Sequence, residues 1–286
     1  MISNVANGAG YYAFVILLIP AYVTQVTGNA VDAGVVMAII GLAAVVGPML
    51  GRFADRYMAH RLVLNLGMLA MALAFVAYAI SAERTALYSL EALLLGVGVA
   101  AINAIGPAFI VGAKLPPALE ARQLAVYDLI SPIGQLLGGA LLAAVAAAGW
   151  SFTQRFWLAA AVMFAAFLIT WLTSRQPAER LTQAMQESTS GDGEDRNQAE
   201  HGQPRGLKQL LVSTFGLYIL ILVLSSVAYN GIINQISNIL PNVYGISEAA
   251  TAGLISLAGL INIAVFLFGG WWMGRSGLMP TLLTGH

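Results

Sequence analysis

Long apolar runs restrict the fold of this chain more than any other feature of its sequence. Eight of them lie between charged or turn-forming residues, at about 4–27, 33–53, 61–81, 86–112, 123–148, 153–173, 209–240 and 249–273. Because a helix rises 1.5 Å per residue, a bilayer core about 30 Å thick needs roughly 20 such residues. Continuous apolar runs favour helices over membrane strands, in which apolar and polar residues alternate. The sequence therefore predicts an all-α integral membrane protein.

Composition agrees with a membrane protein and argues against several other classes. Of the 286 residues 59% are hydrophobic and 9% are charged, and the mean hydropathy is +0.79. Thirteen basic and thirteen acidic residues balance each other, so charge indicates no nucleic-acid partner. Cysteine is absent, which removes disulfides and thiol chemistry. No basic stretch precedes the first apolar run, as it would in a cleavable signal peptide.

Basic residues are divided unequally between the two sets of loops. Only Arg84 and Arg155 lie in one set. The other eleven follow the second, fourth, sixth and eighth runs: Arg52, Arg56, Arg61, Lys114, Arg122, Arg175, Arg180, Arg196, Arg205, Lys208 and Arg275. Lysine and arginine accumulate in cytoplasmic loops. We therefore expect a multi-pass protein of the cell (inner) membrane, with both ends of this chain in the cytoplasm.

Residues 174–207 interrupt the apolar pattern. This stretch is polar, charged and poor in aromatic residues, so it buries little apolar surface. We interpret it as a cytoplasmic linker with a short helix near residues 178–186. It separates a six-helix bundle at 1–173 from an incomplete second bundle at 208–286, which contains the last two runs.

The second bundle repeats the beginning of the first. At an offset of 219 residues, Gly34 aligns with Gly253, Gly51 with Gly270, and Arg56 with Arg275. The aligned residues occupy the same depth of the second span in each half. The sequence thus predicts an internal duplication with parallel halves, an arrangement in which transporters place a substrate site at the repeat interface.

A charged stretch between the second and third runs reads GRFADRYMAHR, residues 51–61. Its GxxADR motif, followed by HR at 60–61, resembles the signature loop of the major facilitator superfamily. Met58 occupies a position where members of the family usually have a second glycine. The resemblance extends to the topology: six spans, a central cytoplasmic loop and the start of a second six. It implies a twelve-span bundle of which this chain carries eight, the remaining four helices being supplied by the same or another chain.

The resemblance also implies a conformational latch at this stretch, formed by Gly51, Asp55, Arg56 and Arg61. Such a latch joins the two halves on the cytoplasmic side in the outward-facing state and breaks when the protein opens inward. Gly51 has no side chain, so we expect a neighbouring helix to approach it closely. Asp55 requires a cationic partner or a helix N-terminus. The alternative is that the arginines only fix the topology.

Two carboxylates within the spans are candidates for proton coupling, because ionisable residues are costly in a membrane. Asp128 heads a stripe on one face of the fifth span. The stripe comprises Asp128, Pro132, Gln135 and Gly139. Glu91 lies about one turn inside the outer end of the fourth span. The alternatives are interfacial roles, with Asp128 facing Arg122 and Glu91 beside Arg84.

Polar residues on other spans are candidates for substrate contact. The resemblance implies that spans one, four and seven line a central cavity. The candidates are Tyr11, Gln25, Asn103, Gln135, Asn230 and Asn234. Interhelical hydrogen bonding is the competing explanation for each of them. Small residues at 134–139 and 96–101 predict close helix packing. The second run, GVGVAA, is not a nucleotide-binding loop, because no strand precedes it as such a loop requires.

No pattern indicates an enzyme, a metal site or a cofactor, and the three histidines are scattered. We expect a secondary active transporter that moves a small solute across the lipid bilayer by alternating access, coupled to protons. Export of a drug-like or amphipathic compound is the first hypothesis. Uptake or exchange of a metabolite such as a sugar, amino acid or organic acid is the second. A nontransporting sensor or assembly subunit derived from a transporter is the third.

Overall fold

The part of the chain that the structure describes is helical, with no strand among those residues. This computed structural model describes residues 2–81, 85–113, 115–191 and 233–276. Its helices are α1 Ile2–Thr27, α2 Ala30–Tyr57, α3 His60–Ile80, α4 Thr85–Val111, α5 Pro117–Ala147, α6 Phe152–Thr173, α7 Arg175–Gly191, α8 Ile236–Tyr244 and α9 Glu248–Ser276. Seven of them, α1 to α6 and α9, are long and apolar enough to cross a membrane. The predicted all-α membrane fold is confirmed.

The seventh predicted span and the linker are described only in part. Residues 209–232 and 192–207 lie outside the described residues. The described end of the seventh span is α8, which extends to Tyr244 rather than to residue 240. In the linker, α7 is longer than the predicted helix at 178–186. It is held by Leu181, which is buried against Gly112, the residue that follows α4.

The bundle has two ends, which we call the linker side and the far side. The linker side carries α7 and the turn between α2 and α3. On the far side, the turns after α1, α5 and α8 each contain a glycine in the left-handed region: Gly28 with φ 69°, Gly149 with φ 76° and Gly245 with φ 67°. Glycine adopts this conformation without the steric penalty of a Cβ, so it ends a helix sharply.

The charged stretch lies on a helix rather than in a loop. We expected the second span to end near residue 53, but α2 continues to Tyr57 with buried Ala54 on its inner face and exposed polar side chains outside. Only Met58 and Ala59 separate α2 from α3. Met58 has φ 51°, and the Ala59 amide donates to the Ala54 carbonyl at 2.9 Å. Met58 therefore adopts the left-handed conformation that a glycine usually supplies at a helix end.

Close packing holds α5 between α1 and α9. A Cβ added to Gly134 of α5 would overlap the Val5 carbonyl oxygen of α1, and one added to Gly8 of α1 would overlap the Ser131 carbonyl oxygen of α5. On the other side, a Cβ on Gly139 would lie 3.0 Å from Ser256 of α9. The small-residue run at 134–139 thus packs as predicted.

The glycines of GVGVAA have the same role in α4. A Cβ on Gly96 would lie 2.5 Å from the Ile40 carbonyl oxygen of α2, and one on Gly98 would lie 2.7 Å from the Gly67 carbonyl oxygen of α3. Backbone atoms cannot move away as a flexible side chain can. This confirms that the segment serves helix packing.

The ends of the first helix in each half agree with the internal repeat. Helix α1 ends at the cap residue Gly28 and α8 ends at the cap residue Gly245, and both glycines are left-handed.

Candidate functional site

A cavity of about 420 Å³ lies between the first half of the chain and α9. Its lining comes from α1, α4, α5 and α9: Asn4, Asn7, Tyr12, Asn103, Pro107, Tyr127, Asp128, Ser131, Pro132, Gln135, Asn262 and Phe266. The volume is within the range of about 300–1,000 Å³ that small-molecule sites occupy. Five amide side chains stand in a bundle that is otherwise apolar, so the cavity concentrates hydrogen-bonding groups at one place.

Several of these amides also join helices. The Asn7 Nδ2 atom of α1 donates to Asn103 Oδ1 of α4 at 2.9 Å, and Asn4 donates to the Tyr127 carbonyl of α5. Gln135 Nε2 donates to the Ile255 carbonyl of α9 at 3.3 Å. Asn103 and Gln135 thus line the cavity, as expected for substrate contacts, and also make the interhelical hydrogen bonds of the competing explanation.

Asp128 is the one charged side chain among the described residues that line the cavity. Arg122, one and a half turns earlier on α5, forms no ion pair with it in the structure. The alternative of an interfacial Asp128–Arg122 pair is therefore not supported in this conformation. A carboxylate in an apolar bundle attracts a cation or a proton.

Glu91 lies apart from this cavity. Its side chain is buried in α4, with 4% exposed, and Oε2 has no hydrogen-bond partner within the described ranges. Arg84, the partner considered for an outer-edge role, lies outside the described residues. Proton coupling through Glu91 stays a prediction.

The far side of the α5–α9 interface is closed. Helix α5 runs from the linker side to the far side, and α9 runs in the opposite direction. From the level of Pro132 and Gly259 to the far ends the two helices are in contact, and Ser256 Oγ donates to the Leu136 carbonyl at 2.7 Å. Nearer the linker side, Asp128 of α5 and Phe266 of α9 line the cavity.

Among the described residues, the contacts of the charged stretch stay within the first half. Asp55 Oδ1 lies 2.8 Å from His60 Nε2, with the Asp55 side chain 61% exposed and the His60 side chain 3% exposed. Arg61 donates to the Trp171 carbonyl of α6 at 2.8 Å and lies 4.7 Å from the centre of the Trp171 ring. Arg56 lies over the ring of its neighbour Tyr57.

Gly51 differs from the expectation of a closely approaching helix. Apart from its chain neighbours and its own helix, no described atom lies within 4 Å of the position that a Cβ at Gly51 would take. Arg52 and Phe53 beside it are exposed as well.

The sequence as a whole matches the family model of the Major Facilitator Superfamily over residues 1–286. The chain belongs to the major facilitator superfamily. It is therefore a secondary transporter of small solutes that resides in a lipid bilayer, in a family of carriers rather than enzymes. No curated protein sequence matches it.

Two of the predicted cavity residues of this transporter lie elsewhere. Tyr11 contacts Tyr12 edge to face and packs against the core, and Gln25 is exposed near the far end of α1. For Tyr11 the reason is a π-helical stretch at Gly8–Val15, whose wider turns invalidate the 100° periodicity assumed for α1. Tyr12 lines the cavity together with Asn7 instead, at the i→i+5 spacing of a π-helical hydrogen bond.

The other two candidates of the transporter are on the seventh span. Asn230 lies outside the described residues. Asn234 precedes α8 and is half-buried, and its Oδ1 has no partner in the part of the chain that the structure describes. It does not line the cavity in this conformation.

Sequence reasoning missed two side-chain pairs of the transporter. His60 was counted among scattered histidines, although its place five residues after Asp55, across a helix boundary, brings the two side chains together. Arg155 and Glu248, each near the start of a helix on the far side, were not paired, since no sequence signal relates α6 to α9. They form an ion pair on the far side at 2.5 Å.

Proposed function

We propose that this transporter exports an amphipathic, drug-like compound in exchange for protons by alternating access. The observation that carries the proposal is the cavity between the first half and α9: its described lining holds one carboxylate, and α5 and α9 are in contact on its far side. We place the linker side and both ends of this chain in the cytoplasm of a cell with the protein in its inner membrane, because eleven of the thirteen basic residues lie on that side. The structure would then represent an inward-facing state.

The lining of the cavity favours a cationic or neutral amphipathic solute. Among its described residues, Asp128 is acidic, none is basic, and the remainder are amides, aromatic rings, serine and proline. A carboxylate attracts a cation and repels an organic acid. Aromatic faces such as those of Tyr12 and Phe266 add cation–π attraction for an organic cation.

Asp128 would couple the solute to the proton. In the inward-facing state the carboxylate holds the organic cation; once the halves have rocked, a proton entering from outside neutralises Asp128 and the cation leaves. The protonated carrier returns, and the proton is lost to the cytoplasm. Each transport cycle thus exchanges one organic cation for one proton at a single carboxylate.

The latch would act at the opposite stage of this cycle. When the linker side closes, Asp55, Arg56 and Arg61 contact the second half, which further helices of the same or another chain complete. In the inward-facing state the latch is broken. The contacts of Asp55 with His60 and of Arg61 with Trp171, all within the first half, agree with that state.

The test is transport by the purified chain in liposomes. We expect ethidium, a fluorescent organic cation, to move against its gradient when a pH gradient is imposed. Movement of ethidium opposite to the proton flow supports proton exchange and export, whereas movement together with the protons supports uptake. Reversing the pH gradient should reverse the direction of movement. Asp128→Asn should abolish the pH-driven movement, whereas Glu179→Gln, which removes an exposed ion pair on α7, should leave it intact. Equal pH-driven transport by Asp128→Asn and the unmodified protein would refute the role of Asp128.

A further inference from the structure

We propose that Arg155 and Glu248 form an ionic gate that holds the far side of the transporter closed. Arg155 belongs to the first turn of α6 in the first half, and Glu248 is the first residue of α9 in the second half. Arg155 Nη1 lies 2.5 Å from Glu248 Oε2. Among the described residues, no other ion pair joins the two halves. The inference rests on the alternating access proposed above.

The gate lies where five helices converge. Residues of α1, α5, α6, α8 and α9 surround it: Leu17, Leu18, Ala21, Leu142, Ala146, Phe152, Ser237, Thr251 and Ala252. Arg155 is 9% exposed, and its guanidinium lies 4.9 Å from the centre of the Phe152 ring. A buried arginine in such apolar surroundings requires its carboxylate, since removal of one partner leaves an uncompensated charge.

The surroundings also allow the gate to open. The Glu248 side chain is 45% exposed, so water reaches it without a large rearrangement. Beside the pair lies a void of about 20 Å³, enough for one water molecule. Arg155 Nε and Ser237 Oγ are buried next to it and have no partner within the described ranges. Because these polar groups are not fully satisfied in the closed state, hydration in an open state compensates the loss of the ion pair.

The position of the pair suits a gate. It lies at the far end of the α5–α9 contact, beyond the packing of Gly139 on Ser256 and of Gly259 on Pro132. When two bundles rock about a midplane site, the ends of the helices separate by the largest distance. Any rocking that exposes the cavity on the far side must therefore part the first turns of α6 and α9, and with them this pair.

The absence of cysteine from the chain permits a direct test with one reporter. Ser237→Cys places a thiol behind the gate, where Ser237 is 6% exposed. The rate at which a water-soluble methanethiosulfonate modifies this thiol in the detergent-purified full chain measures opening of the gate. Glu248→Gln should raise the rate by about tenfold or more, since the loss of a partly buried pair shifts a two-state equilibrium towards the open form.

A matched control is available in α7. Arg175 Nε and Glu179 Oε1 form an ion pair at 2.9 Å that lies within one exposed helix and joins no halves. Glu179→Gln should leave the labelling rate unchanged. The double variant Arg155→Glu with Glu248→Arg should restore slow labelling, because it retains the pair with its charges exchanged.

Each outcome decides the proposal. Labelling of Glu248→Gln at the rate of its parent would overturn the gate, and so would a double variant that labels as fast as Glu248→Gln, since packing rather than charge would then be responsible. The labelling needs neither solute nor pH gradient. Unchanged labelling with intact pH-driven transport would refute the gate alone, whereas accelerated labelling without any transport by the parent protein would refute the proposed export and leave the gate.

Discussion

At the scale of single residues, Met58 in the turn between α2 and α3 holds a strained backbone conformation that a glycine would adopt without strain. Met58 is the one non-glycine residue among those described that has a positive φ. We expect Met58→Gly to raise the unfolding temperature. The left-handed region costs a residue with a side chain roughly 1–2 kcal/mol, of which the greater freedom of unfolded glycine offsets about 0.5–1 kcal/mol, leaving a gain of about 1 kcal/mol. Circular dichroism recorded during heating measures the unfolding temperature.

The neighbouring residue provides the control for this prediction. Ala59 has φ −101°, so a glycine there relieves no strain and should lower the unfolding temperature slightly. An unfolding temperature of Met58→Gly below that of the unmodified protein would contradict the account of the turn.

At the same scale, the sequence identified residue types better than their partners. The motif at 51–56 pointed to a charged cluster, but the partner of Asp55 is His60, because the turn at Met58 brings the start of α3 back towards the last turn of α2. Turn geometry of this kind depends on one dihedral angle, which a spacing along the sequence does not encode. The sequence predicted Tyr11 as a cavity residue, whereas Tyr12 lines the cavity, because part of α1 is π-helical.

At the scale of helices, two glycines that look alike in sequence should behave differently. Gly134 contacts the backbone of α1, where a Cβ would overlap the Val5 carbonyl oxygen, whereas Gly51 faces open space. We expect Gly134→Ala to lower the free energy of unfolding by several kcal/mol, on the order of the larger effects of overpacking. Gly51→Ala should raise it by up to about 1 kcal/mol, since alanine is the better helix former. Denaturant unfolding of the purified variants measures both.

Equal stability of the Gly134→Ala and Gly51→Ala variants would show that the α1–α5 contact is looser than described.

The existence of seven helices was predictable from their apolar runs, because the bilayer sets their length and composition. Their ends were less predictable: α2 passes the last apolar residue of its run, since a helix that emerges from the bilayer continues as long as its polar side chains face water.

At the scale of the whole molecule, the fold class was predictable and the packing was not. The predicted linker, basic loops and repeat at 219 residues all derive from the order of residues along the chain, and the family match confirms the membrane transporter fold. Which helices meet across the halves depends on shape. The contact of α5 with α9 and the Arg155–Glu248 pair therefore emerge only from the three-dimensional structure.

The central claim is that the cavity opens to the linker side and is sealed on the far side. The most direct test uses single cysteines in this cysteine-free chain, labelled in sealed membrane vesicles with an impermeant maleimide. Asn262→Cys places a thiol in the cavity, Arg175→Cys marks the linker side on exposed α7, and Ala30→Cys marks the far side at the start of α2. We predict that the cavity thiol reacts from the face that labels Arg175→Cys and is protected from the other. Reaction from the face that labels Ala30→Cys, with protection from the linker side, would contradict the account.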